Sequence, residues 1–95
     1  MNDKFIVKVN ATHIKKGVCQ SPSSCAIALA ILDVSKNITT VSVDDDYARL
    51  SFKDRIVRYY STPTRAARFI SKFDNRKKVK PTTFIFKFDS SYKSW

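Results

Sequence analysis

The sequence predicts a small α+β domain, an antiparallel sheet of four to five strands with two helices packed on one face. Three observations carry that expectation. The 95 residues, 43% of them hydrophobic and 27% charged, supply material for one hydrophobic core. Short β-rich stretches recur between turn residues, and two segments have helix-type starts and apolar patterns too long for strands.

Lys4 to Val9 opens the chain with Phe5, Val7 and Val9 alternating against Lys4 and Lys8, the period-two pattern of a strand with one buried face. Thr12 to Gly17 then reads as a single helical turn, with Thr12 as its cap and Gly17 as a left-handed stop. Ser21-Pro22 is a helix start, and the run from Cys25 to Leu32 that follows is apolar on every face, as in a helix buried from several sides. Ile38 to Val43, Ala48 to Phe52 and Arg55 to Ser61 form a meander, with turns at Asp44-Asp45-Asp46 and Lys53-Asp54. Thr62-Pro63 opens a second helix, whose Ala66, Phe69, Ile70 and Phe73 share one face, and Asp74-Asn75 ends it. A last strand places Phe84, Phe86 and Phe88 on one face, with Thr83, Ile85 and Lys87 on the other. The expected domain spans residues 1–88, and residues 89–95 read as a polar tail.

Charge separates the two halves. Residues 1–50 hold 6 basic and 5 acidic groups, whereas residues 51–95 hold 12 and 3, so the second half carries +9 of the net +10. Such a field concentrates polyanions and speeds their encounter. Arg65, Arg68, Lys72 and Arg76 fall within an arc of about 80° on the second helix, continuous with Lys77, Lys78 and Lys80, and with Arg55 and Arg58 on the preceding strand. This basic stripe is either an anion-binding surface or a solvated charged face. A second candidate anion site lies at the Ser21-Pro22 helix start, where Ser21, Ser23 and Ser24 would join His13, Lys15 and Lys16 around free amides. The plainer role for those serines is capping.

Catalytic and metal chemistry find little support. Cys25 with His13 as base is the one nucleophilic pair available, and a cysteine that begins an apolar run is ordinarily a small buried hydrophobe. Cys19, Cys25 and His13 are too few for a structural zinc site, and no cofactor motif is present, the single Gly excluding a Gly-rich phosphate loop. Asp44, Asp45 and Asp46 read as a turn, since nothing supplies further ligands at metal-loop spacing. No apolar run reaches the roughly 20 residues of a membrane span, and the expected setting is the cytoplasm, with both cysteines as thiols. Seven Phe, four Tyr and one Trp exceed what so small a core must hold, and predict a homo-oligomer.

His13-Ile14-Lys15-Lys16-Gly17, Cys25 to Ala30, Arg68 to Asp74 and Val79 to Phe84 together resemble a family of small uncharacterised bacteriophage proteins, which often has Pro at the position of Ala26. The resemblance covers most of the chain and transfers no catalytic residue. It implies an accessory protein of the infected host's cytoplasm that counters bacterial defence, by sequestering a nucleotide signal or by occupying a defence protein. The function expected from residues and resemblance together is non-catalytic binding of a phosphate-bearing ligand, nucleotide or nucleic acid. The alternative is a protein that binds and inhibits a host defence enzyme.

Overall fold

A computed structural model describes residues 4–88; the expected tail at residues 89–95 lies outside them. The elements are β1 (Lys4–Val9), α1 (Ala11–Lys16), α2 (Ala26–Leu32), β2 (Ile38–Val43), β3 (Tyr47–Phe52), β4 (Val57–Ser61), α3 (Thr64–Asp74) and β5 (Thr82–Phe88). They build the expected α+β architecture. The five strands form one antiparallel sheet in the order β1-β5-β4-β3-β2.

Strand alternation sorts the side chains. Phe5, Val7 and Val9 of β1 are buried, as are Phe84 and Phe86 opposite them on β5, and Val41, Val43, Ala48, Leu50 and Tyr60 continue the inner face across β2, β3 and β4. α2 packs against both β1 and β2, the two outermost strands, so the sheet curls around it. That placement explains the helix's composition: Ala26, Ile27, Ala28, Ala30 and Ile31 are all buried because apolar neighbours surround it on several sides. Among the described residues β4 and β5 pair Tyr60 with Phe88 and Ser61 with Lys87. At that junction the Phe5 ring sits edge-on to Tyr60 at 4.7 Å and stacks on Phe86 at 5.4 Å, aromatic geometries that stabilise beyond area burial alone.

α3 seals one end through Ala66, Phe69 and Phe73. Phe69 meets Phe84 of β5 edge-on at 5.6 Å, fixing the helix against the last strand.

Several local expectations are corrected. α1 begins one residue before Thr12 and is capped by Asn10: its side chain accepts from the His13 N–H, and His13 Nδ1 accepts from the Asn10 N–H, both at 3.0 Å. This reciprocal arrangement satisfies two free amides together, which Thr12 alone does not. Gly17 is not left-handed, having φ −65° and ψ 147°; its smallness is needed because a Cβ would lie 2.7 Å from Ala26 N and 2.8 Å from Phe73 Cζ. Ser21-Pro22 does not start α2. The Ser21 carbonyl accepts from the Ser24 and Cys25 amides and the Pro22 carbonyl from Val43, so this segment is a turn tied to the end of β2, and α2 starts after Cys25. Arg55 and Ile56 belong to a turn instead of β4, because Arg55 adopts φ 69° and its amide closes onto the Phe52 carbonyl.

Candidate functional site

The second half of the chain builds a groove of about 350 Å³ between α3, the connection that follows it and the start of β5. Its walls carry Arg65, Arg68 and Lys72 from α3 together with Lys78 and Lys80 from the connection, and its floor is Phe69, Val79 and Phe84. Helical geometry explains the first three. Positions 65, 68 and 72 follow the i, i+3, i+7 ridge, one step round from the buried Ala66, Phe69 and Phe73, so the cations rim the apolar seam. Asn75 then ends α3, its side-chain amide donating to the Ser71 carbonyl at 2.8 Å. The Arg76 backbone at φ 59° turns the chain back, bringing Lys78 and Lys80 over the opposite wall.

Arg65 is held in place. Its guanidinium lies 5.5 Å above the centre of the Phe84 ring, donates to Thr82 Oγ1 at 3.1 Å and approaches the Thr83 carbonyl at 3.4 Å. Stacking and anchoring restrict its rotamers before any ligand arrives, while most of its five N–H donors remain for an anion. Among the described residues no carboxylate lines the groove. Five cations around one small concavity repel one another, and a bound polyanion relieves that repulsion while gaining charge-assisted hydrogen bonds.

Of the nine residues in the expected stripe, the groove gathers Arg65, Arg68, Lys72, Lys78 and Lys80. Arg76 and Lys77 sit exposed at the turn after α3 and do not line it. Arg55 stands in the β3–β4 turn, and Arg58 faces the other end of the sheet, 5.4 Å over the Phe88 ring, beside Lys53 and Asp54. The floor residues Phe69, Val79 and Phe84 carry no chemical signature in the sequence beyond being core-type positions.

The six residues of the other candidate site are not brought together. His13 is buried with its Nε2 2.6 Å from Asp33 Oδ2, at the C-terminal end of α2. Because Nδ1 accepts from the Asn10 amide, Nε2 carries the proton and donates to Asp33. Lys15 and Lys16 are exposed on α1. Ser21 lines a larger cleft of about 640 Å³, while Ser23 and Ser24 do not. The charge in that cleft is of the wrong sign for a phosphate, since among the described residues Asp44, Asp45 and Asp74 line it with one cation, Arg68. Nor are the amides free, because Cys25 Sγ accepts from the Ala28 amide at 3.4 Å. Burial pushes the Cys25 thiol up from its ordinary range, since desolvation disfavours the thiolate, and His13 is engaged elsewhere. The carboxylates of Asp44, Asp45 and Asp46 approach one another and are all exposed; Asp44 Oδ1 accepts from the Asp46 and Tyr47 amides at 2.8 and 2.7 Å, the bonding of a turn.

No protein-family model, curated protein or solved structure matches the chain. No helix among the described residues is long and apolar enough to cross a membrane.

Proposed function

We propose that the protein is a non-catalytic binder of a phosphate-bearing ligand, held in the groove between α3 and β5. The observation that carries this reading is the groove's composition: among the described residues five cations and no carboxylate, over a largely buried aromatic floor, with one arginine already stacked and anchored. A volume of about 350 Å³ lies within the range of small-ligand pockets and suits a compact phosphate-bearing ligand such as a nucleotide, with its phosphates among the cations. The resemblance to small bacteriophage proteins adds a setting, in which a nucleotide signal is withheld from a bacterial defence system.

Isothermal calorimetry against nucleoside triphosphates and cyclic nucleotides at low salt tests the reading. Heat is expected from the native chain and is expected to vanish in a variant carrying Arg68→Glu and Lys72→Glu. Absence of heat from every phosphate compound, or binding undisturbed by the double reversal, overturns it.

A further inference from the structure

We infer that the convex face of the sheet, on the side away from the helices, is a second binding surface, and that its ligand is single-stranded nucleic acid. The register places Lys4, Ile6 and Lys8 of β1 beside Lys87, Ile85 and Thr83 of β5, opposite in direction to the buried Phe5, Val7, Phe84 and Phe86. Farther across, Ser61 pairs with Lys87 and Tyr47, and Tyr59 pairs with Arg49. Lys4, Lys87, Ser61 and Tyr47 therefore form one lateral row over β1, β5, β4 and β3. At the usual strand spacing of about 4.8 Å that row is roughly 14 Å long.

Three features of this face point to a polyanion with bases. None of the described residues of the five strands is acidic, so among the described residues Lys4, Lys8, Lys87 and Arg49 have no carboxylate within the sheet. Lys4 and Lys87 are direct cross-strand partners, and like charges so placed destabilise a sheet. Lysines on an edge strand serve to block edge-to-edge pairing, which accounts for Lys4 and Lys8 on β1; Lys87 and Arg49 lie on the interior strands β5 and β3, where that explanation fails. The third feature is apolar. Tyr47 and Tyr59 meet edge-on at 6.4 Å next to Arg49, and Ile6 and Ile85 are 55% and 48% exposed as a facing pair. Cations interleaved with aromatic and aliphatic surface match a strand whose phosphates are exposed and whose bases are unpaired, and sheet faces bearing aromatics are a recurrent platform for this ligand. A duplex keeps its bases stacked inside and has no use for the tyrosines or isoleucines. The inference does not depend on the α3–β5 groove, which opens on the other side of β5.

Fluorescence anisotropy of the full chain with labelled 12-nucleotide oligo-dT and oligo-U, and with a 12-base-pair duplex, tests it at low salt. The single strands are expected to bind at least fivefold more tightly than the duplex. Arg49→Gln combined with Lys87→Gln is expected to weaken them at least tenfold, and Tyr59→Val at least fivefold. The groove variant with Arg68→Gln and Lys72→Gln removes the same amount of charge from the other side of β5, and is expected to weaken single-strand binding less than Arg49→Gln with Lys87→Gln does. Thr40→Lys, which adds a cation to the same face beside Ser51, is expected to tighten binding, so the inference stays testable if Tyr59→Val fails to fold. Four results would each overturn it: no single-strand binding, duplex bound as tightly, loss confined to the groove variant, or full affinity in folded Tyr59→Val. Concentration-dependent dimerisation abolished by Ile85→Thr, without oligonucleotide binding, would instead assign the face to a second copy of the chain.

Discussion

Replacing Gly17 with alanine adds one methyl group at a place with no room for it. The backbone there, φ −65° and ψ 147°, is open to any residue, so the conformational argument for glycine does not apply and the cost is steric. A Cβ would stand 2.7 Å from Ala26 N, 2.8 Å from Phe73 Cζ and 2.9 Å from the His13 carbonyl oxygen. Two of these atoms belong to backbone, one at the start of α2 and one within the last turn of α1, and neither shifts without moving its helix. Overpacking of this kind costs about 1–3 kcal/mol, and two backbone contacts put the expectation at about 2 kcal/mol. For a domain of this size each kcal/mol lowers the melting temperature by about 4–8 °C, so Gly17→Ala is expected to melt roughly 8–16 °C below the native chain. Thermal unfolding followed by circular dichroism checks it, and urea unfolding gives the free energy directly. Adding Phe73→Leu removes the ring atom but not the backbone contacts, so the double variant is expected to recover only part of the coupling between the two sites. A Gly17→Ala protein within about 0.5 kcal/mol of the native chain, the ordinary range for surface substitutions, would refute the reasoning, because the loop would then be free to move aside.

Three further outcomes follow from the structure. His13→Ala removes the acceptor for the Asn10 amide and the donor to Asp33, and is expected to cost about 1–2 kcal/mol in urea unfolding, with no effect on nucleotide binding; a loss of binding in the folded variant would return His13 to the ligand site. A disulfide reagent is expected to label Cys19, which is half-buried, well before Cys25, whose burial holds the thiol protonated into more alkaline solution; mass spectrometry of the modified peptides reads the order, and faster labelling at Cys25 would contradict the assignment. Arg65→Lys keeps the charge but loses the stacked, forked geometry over Phe84, so calorimetry with a nucleoside triphosphate is expected to show an affinity about tenfold lower, whereas an unchanged affinity would mean that Arg65 contributes charge alone.

The sheet was legible in the sequence because it depends on period-two alternation, which needs no knowledge of distant residues. Phe5, Val7 and Val9, and again Phe84 and Phe86, declare their inner face locally, and the apolar positions of α3 do the same at helical spacing. What was not legible is decided by contacts across long sequence gaps. Ser21-Pro22 looks like a helix start by its chemistry, but its carbonyls are taken by Ser24, Cys25 and Val43, and Cys25 becomes the cap. Gly17 looks like a left-handed stop, and its real requirement comes from Phe73 and Ala26. The basic stripe was half legible: helical periodicity aligns Arg65, Arg68 and Lys72, while the return of Lys78 and Lys80 over the same groove depends on the turn at Arg76, and the position of Arg58 on the register that sets Tyr60 opposite Phe88.

The partnership between the first strand and the last has a temporal consequence. β1 bonds along its whole length to β5, so during synthesis Phe5, Val7 and Val9 must wait until the chain has emerged as far as residue 88 before their side of the core can close. β2, β3 and β4 are consecutive antiparallel neighbours and can assemble while translation continues, because their pairings are local. A chain that has paired β2, β3 and β4 before β1 meets β5 carries a formed meander with an unclosed apolar flank, and that is where a chaperone or a second chain would have its best opportunity to bind.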